Sequence, residues 1–248
     1  MKIGFFADGP WSHLSLDKIS KVRNVEILFI VPRYENQDPV LKKWAKKLSI
    51  DFIIEKNINS KNSIKKLKKY KADLFVSMSY NQIIKKELFK LPPKGFINCH
   101  AGALPFYRGR SVLNWVLING EKSYGVTVHY INQGIDTGDI ILQKKYLIRN
   151  NDDYSTLLSK AAFNCAVLLD KALKLIMKDK AKRVKQISID KNGSYYKQRK
   201  EGDEIIQWNQ DTARLLNFIR ALVYPGPIAQ TSYGNNCIKI KSAVKVAY

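Results

Sequence analysis

The stretch "INCHAGALPFYRGRS", Ile97 to Ser111, decides the fold. It starts inside an apolar segment, "GFINCH" (95–100), of the length of a buried strand. A small-residue turn follows, then Leu104-Pro105 and a basic run. A polar, glycine-bearing run that leaves a buried strand suits the carboxyl edge of an open α/β sheet, where ligands bind. The upstream sequence agrees. "KIGFFA" (2–7), "VEILFIV" (25–31), "DFII" (51–54) and "DLFVSMS" (73–79) read as strands one to four. "SLDKISKV" (15–22), "DPVLKKWAKKLSI" and "KNSIKKLKKY" read as the helices between them. Asp38 is an N-cap followed by Pro39 at the first helical position, and Asn59 or Ser60 caps the next helix. Strands alternating with helices at this spacing predict a parallel sheet covered on both faces. Three segments then converge at one edge: "DGPWSH", "SYNQII" and "HAGALPFYRGR".

Downstream, "SVLNWVLING" reads as a helix closed by Gly120. "YGVTVHYI" (124–131) and "IILQKKYLI" (140–148) read as a hairpin-like strand pair around the turn "NQGIDTGD". A long helix follows, capped by Asp152 or Asp153, with a core stripe of Leu157, Ala161, Cys165, Leu168, Ala172 and Ile176. The chain divides into a catalytic domain (1–180), a polar connector (181–208) and a small helix and β unit (209–248) whose hairpin turn is "GNN". The fold class is α/β, Rossmann-like and parallel-rich, with a short C-terminal α+β extension.

Composition sets limits. Hydrophobic residues make up 45% of 248, enough for a core. No run approaches the roughly 20 apolar residues of a membrane span, and the apolar N-terminus stops at Asp8, too short for a secretory signal. Three cysteines without a CxxC argue against a disulfide framework or structural zinc, and point to the cytoplasm. The net charge of +22 is carried mostly by scattered lysines. It reads either as a solvated surface or as a field that attracts phosphorylated ligands.

Asn98 and His100 share one face of strand five, because side chains alternate along a strand. Cys99 faces the other way, into the core. The turn "GIDTGD" presents Asp136 between glycines. An imidazole can move a proton, a carboxylate can orient it, and an amide can donate to an oxyanion. With no serine or cysteine nucleophile among them, acyl transfer to an external nucleophile fits. No second histidine or carboxylate cluster accompanies the turn at ligand spacing, so no metal is expected.

The segment Phe96 to Gln143, "FINCHAGALPFYRGRSVLNWVLINGEKSYGVTVHYINQGIDTGDIILQ", resembles the signature of the folate-dependent formyltransferases. They carry Asn-x-His, a small-residue turn, "LP", an aromatic-Arg-Gly, a "GVTxH" strand and an acidic "D-TG-I" turn. The resemblance implies a Rossmann-like formyltransferase domain, 10-formyltetrahydrofolate as donor, and Asn98, His100 and Asp136 as the catalytic trio. It places the pterin between Tyr80, Asn81, Gln82, Ile83 and Ile84 on one wall and Gln133, Gly134 and Ile135 on the other.

Three acceptors compete within that family: methionyl-tRNA, glycinamide ribonucleotide, and a nucleotide-linked amino sugar. The charge favours the first, but only 40 residues follow "DEIIQW". Chain length, the "DGPWSH" start and a "RALxYP" segment resemble the sugar N-formyltransferases. The favoured acceptor is a dTDP-linked amino-dideoxyhexose bound for surface polysaccharide such as lipopolysaccharide O-antigen. Trp11, Tyr107, Arg110, Arg220 and Tyr224 are candidates for its site. Trp11 reads equally as core, Arg220 as a helix-terminus cation, and "NFIRALVYP" as a homodimer interface. Neither membrane nor nucleic acid is the expected partner. A non-catalytic nucleotide- or RNA-binding module using the basic surface and a decarboxylating or dehydrogenase Rossmann protein are rivals, the latter opposed by the lack of GxGxxG after strand one.

Overall fold

In the computed structural model, residues 1–246 are described; the last two residues of the expected β unit, Ala247 and Tyr248, lie outside them. Alternating apolar strands and capped helices build the first half. They are β1 (Lys2–Ala7), α1 (Gly9–Ile19), β2 (Glu26–Pro32), α2 (Pro39–Leu48), β3 (Asp51–Phe52), α3 (Lys61–Lys68), β4 (Leu74–Met78), α4 (Lys86–Phe89) and β5 (Phe96–His100). After them come β6 (Arg108–Gly109), α5 (Val112–Ile118), β7 (Ser123–Tyr130), β8 (Ile140–Leu147), α6 (Tyr154–Met177), β9 (Tyr195–Tyr196), α7 (Thr212–Ala221), β10 (Ala229–Tyr233) and β11 (Asn236–Ile240).

The main sheet runs β3-β2-β1-β4-β5-β7-β8. The first five strands are parallel; β7 runs antiparallel to β5, and β8 to β7. Strand alternation feeds a core on each face. Phe5, Val76 and Ile97 join the layer under α1, α5 and α6, while Phe6, Phe75 and Phe96 join an aromatic layer on the other face. Phe6 lies 4.7 Å from Phe96 and 5.2 Å from Phe75, ring to ring.

The caps form as the sequence implies. Asp38 accepts from Val40 N, and Ser60 rather than Asn59 accepts from Ser63 N. Asp153, not Asp152, caps α6 in a reciprocal box with Thr156. The first helix departs from the expected span 15–22. α1 begins at Gly9, six residues ahead of the expected start, with Pro10 in its first turn. The Ser12 hydroxyl ties that turn to the carbonyls of Asp8 and Met78. Trp11 is therefore held on a helix rather than on a strap.

The connector is also less free than its composition implies. β9 pairs with β6 in the run after His100, and Val184 bridges Ile140 at the start of β8. α7 packs on α5, where Asn114 Nδ2 donates to the Ala221 carbonyl at 2.7 Å. Among the described residues no helix is long and apolar enough to cross a membrane.

Candidate active site

The carboxyl ends of β1, β2, β4 and β5 open into a cavity of about 610 Å³. Its fourth side is the loop between β7 and β8, residues 132–136. Asn98, His100 and Asp136 all line it. Asn98 and His100 point the same way from β5 because they are two residues apart. Asp136 arrives from a loop shaped by Asn132, whose side-chain oxygen accepts from Gly134 N (3.1 Å) and from the Thr137 hydroxyl (2.7 Å). Asp136 itself has φ +54°, a left-handed conformation that aspartate tolerates better than most residues.

His100 Nε2 lies 2.6 Å from the Tyr107 carbonyl. A carbonyl only accepts, so Nε2 carries the proton there and Nδ1 faces the cavity. Nδ1 is 3.6 Å from Asp136 Oδ2, and the same oxygen accepts from Gly109 N at 2.9 Å. Burial by itself would raise the Asp136 carboxyl. The neighbouring His100 and His129 rings and the Gly109 N–H outweigh it and hold the group below the usual carboxylate range. Asp136 is thus an anion at neutral pH, aimed at an imidazole.

His129 completes the arrangement and was missed in the sequence. It stands opposite Asn98 in the antiparallel register of β5 and β7. Its Nδ1 donates to the Tyr130 carbonyl at 2.9 Å. Its Nε2 is 3.3 Å from Asn98 Nδ2 and 3.5 Å from Asp136 Oδ1. It serves one of these at a time: as a bare nitrogen it accepts from Asn98, and as N–H it donates to Asp136. The available signal was parity, since Ser123, Thr127 and His129 are the polar members of an otherwise apolar strand and share one face.

The residues expected on the two pterin walls line the cavity, Tyr80–Ile84 on one side and Gln133–Asp136 on the other. The Gln82 amide turns away from a ligand role, accepting from Ile58 N and donating to the Glu55 carbonyl, both at 3.0 Å. Ile83 and Ile135 expose apolar side chains from opposite walls. The Tyr80 hydroxyl is buried and has no partner among the described residues.

Residues 1–173 match the family described as formyl transferase, and residues 199–247 match its C-terminal domain. The chain belongs to the formyl transferase family. Its relatives include the bifunctional polymyxin resistance protein ArnA of Wigglesworthia glossinidia brevipalpis, 38% identical over 75% of this chain and 28% of that protein. A methionyl-tRNA formyltransferase of Thermodesulfovibrio yellowstonii is 35% identical over 82% of this chain and 65% of that protein. The chain thus spans less than two thirds of the length of both. Among solved structures, WlaRD, a sugar 3N-formyl transferase in the presence of dTDP and 5-N-formyl-THF, is 26% identical with a TM-score of 0.73. That likeness covers 97% of this chain and 85% of WlaRD.

Of the five residues expected to face the acceptor, this member of the formyl transferase family brings Trp11 and Arg110 to the cavity. Trp11 also packs on the core. The other three lie elsewhere. The Tyr107 ring stacks on Tyr196 at 4.8 Å and its hydroxyl donates to Glu121; only its backbone carbonyl reaches the site, at His100. Arg220 reaches back to the Asp152 carbonyl at the start of α6. Tyr224 is exposed in the turn after α7. Helix α7 packs on α5, and neither Arg220 near its end nor Tyr224 beyond it lines the cavity. In their place the fold supplies Arg33, the first basic residue beyond β2. It lines the cavity, pairs with Asp8, and keeps a buried Nε without a partner. The carboxyl-edge rule that singled out the other loops applies to it too. Among the described residues no group of three His, Cys, Asp or Glu could hold a metal.

Proposed function

We propose that this protein transfers the formyl group of 10-formyltetrahydrofolate to the amine of a nucleotide-linked amino-dideoxy sugar, with dTDP as the favoured nucleotide. The observation that carries the transfer reading is the gathering of Asn98, His100 and Asp136 around one cavity in a formyl transferase chain. The cavity suits a reduced pterin. Its volume lies in the range of small-molecule sites, two exposed isoleucines flank the opening, and the unpartnered Tyr80 hydroxyl offers a polar contact. When bound, the folate supplies an activated formyl carbon for attack by an amine.

The protein's own groups then divide the work. One Asn98 N–H is taken by a neutral His129, which leaves the amide turned so that its other N–H can meet a carbonyl oxygen as negative charge develops on it. His100, with Nε2–H fixed by Tyr107, uses Nδ1 to take the proton that the amine releases and hands it to the folate nitrogen as that nitrogen's bond to the formyl carbon breaks. Asp136, already ionised, stabilises the imidazolium so formed.

WlaRD supports the sugar acceptor, since it is similar over nearly the whole of this chain. Arg33 and Arg110 are cations of the kind that bind a diphosphate, and Trp11 is a face on which a base or sugar can rest. The methionyl-tRNA relatives and the +22 charge favour a tRNA acceptor as the second reading. A cytoplasmic homodimer joined through the C-terminal region, feeding surface polysaccharide, belongs to the first. The test is to mix the protein with 10-formyltetrahydrofolate and either dTDP-, UDP- and GDP-amino sugars or methionyl-tRNA, and to follow tetrahydrofolate by absorbance. Turnover with a nucleotide sugar is expected. Turnover with methionyl-tRNA alone overturns the acceptor, and no turnover with any of them overturns the transfer.

A further inference from the structure

One side chain of the connector reaches both halves of the site. Gln186 opens a 3-10 turn, Gln186–Ser188, and is 3% exposed. Just upstream, Val184 and Ile140 exchange backbone hydrogen bonds of 2.8 and 3.0 Å, and the Arg183 guanidinium lies 3.7 Å over the Tyr130 ring. These contacts seat the turn beside the loop that carries Asp136. The Gln186 amide then uses its whole capacity of two donors and two acceptor positions. Nε2 donates to the carbonyls of Asp136 (2.7 Å) and Gly138 (2.8 Å). Oε1 accepts from Arg108 Nε (3.0 Å) and Nη2 (2.8 Å). A guanidinium only donates and a carbonyl only accepts, so chemistry fixes which way the amide faces.

These bonds close a ring. Arg108 precedes Gly109, whose N–H donates to Asp136 Oδ2. Asp136 is held at its carbonyl by Gln186 and at its carboxylate by Gly109, and both holds meet at Arg108. A left-handed residue such as Asp136 keeps its conformation only where surrounding contacts impose it. Gln186 itself lies between the two segments that match the family, residues 1–173 and 199–247.

We propose that Gln186 is a positioning residue for the formyl transfer, setting the Asp136 carboxylate against His100 and His129. The proposal rests on the role given to Asp136 above. Gln186 touches no reacting atom and acts through that residue.

Gln186→Leu keeps the side chain's approximate size and removes all four bonds. Gln186→Glu keeps an acceptor for Arg108 but sets a carboxylate against two carbonyl oxygens. The chain has three histidines, His13, His100 and His129, so each ring-proton signal can be followed by NMR. In Gln186→Leu the signals of His100 and His129 move in the same sense as in Asp136→Asn. That of His13, paired with Asp38 at 2.5 Å, stays in place. With an active acceptor, kcat falls about tenfold or more, as expected for a misplaced catalytic group, while KM stays near the wild-type value. If the leucine variant does not fold, the glutamate variant carries the same two readouts. Unmoved His100 and His129 signals, with only a lower unfolding midpoint, assign Gln186 to packing and overturn the proposal. The NMR readout needs no turnover, so it separates this failure from failure of the transfer reading.

Discussion

At the scale of single residues, the site is a balance between burial and local charge. His100 lies between a carbonyl that fixes one nitrogen and a carboxylate that faces the other. Replacing it by asparagine keeps polarity but removes the proton acceptor. His100→Asn is expected to lower kcat by about 10²–10⁴-fold, the usual range for a general acid–base group. Folate binding, followed by fluorescence titration, is expected to persist. Near-normal turnover would refute the role. Asp136 gives a pH test. Its folded-state pKa is depressed, so its stabilisation is complete above the unfolded value of about 4 and fades as pH falls through the lower folded value. The unfolding free-energy gap between the wild type and Asp136→Asn is therefore expected to be level above about pH 5 and to shrink below about pH 4. Urea unfolding across that range measures it, and a gap that widens on acidification contradicts the assignment.

At the scale of elements, the turn after β5 explains why small residues follow His100. A Cβ on Gly102 would meet the Tyr107 carbonyl oxygen at 2.4 Å and His100 Nε2 at 2.6 Å. Those two atoms form the bond that fixes the imidazole. Gly102→Ala must displace one of them. A shift near 1 Å at a catalytic group costs about 10²-fold in rate, so kcat is expected to drop by that order in a protein that still folds. Steady-state kinetics beside a circular dichroism melt separates the two effects. The sequence made the elements legible here: "GFINCH" as a strand, a tight turn, and Asn98 and His100 on one face. It did not reveal His129, because parity gives a face but not the partner strand's register. Only the pairing of Asn98 with His129 across β5 and β7 brings the two together.

At the scale of the whole molecule, the C-terminal part is built into the body of the fold. Ala221, Leu222 and Ala229 are buried in the same core as α1, α5 and α6. Asn114 anchors that region by its bond to the Ala221 carbonyl. Asn114→Ala leaves a buried carbonyl without a partner and is expected to cost about 1–3 kcal/mol in urea unfolding. An unchanged midpoint would show that α7 docks without this bond. The same packing explains why Arg220 and Tyr224 do not reach the cavity. Helical spacing placed Arg220 on a C-terminal helix, with Tyr224 just past its end, yet the way that helix faces is decided by its contact with α5.

The sequence by itself determined the alternating α/β layout, the capped helices and the residue types of the candidate trio. These follow from short-range rules: side-chain period, cap chemistry and turn composition. The tertiary structure alone decided that His129 supports Asn98, that Arg33 joins the cavity, and that Gln186 reaches Asp136 from 50 positions away. Such contacts depend on strand register and on how a connector docks, and those are set by packing between segments that no local pattern links.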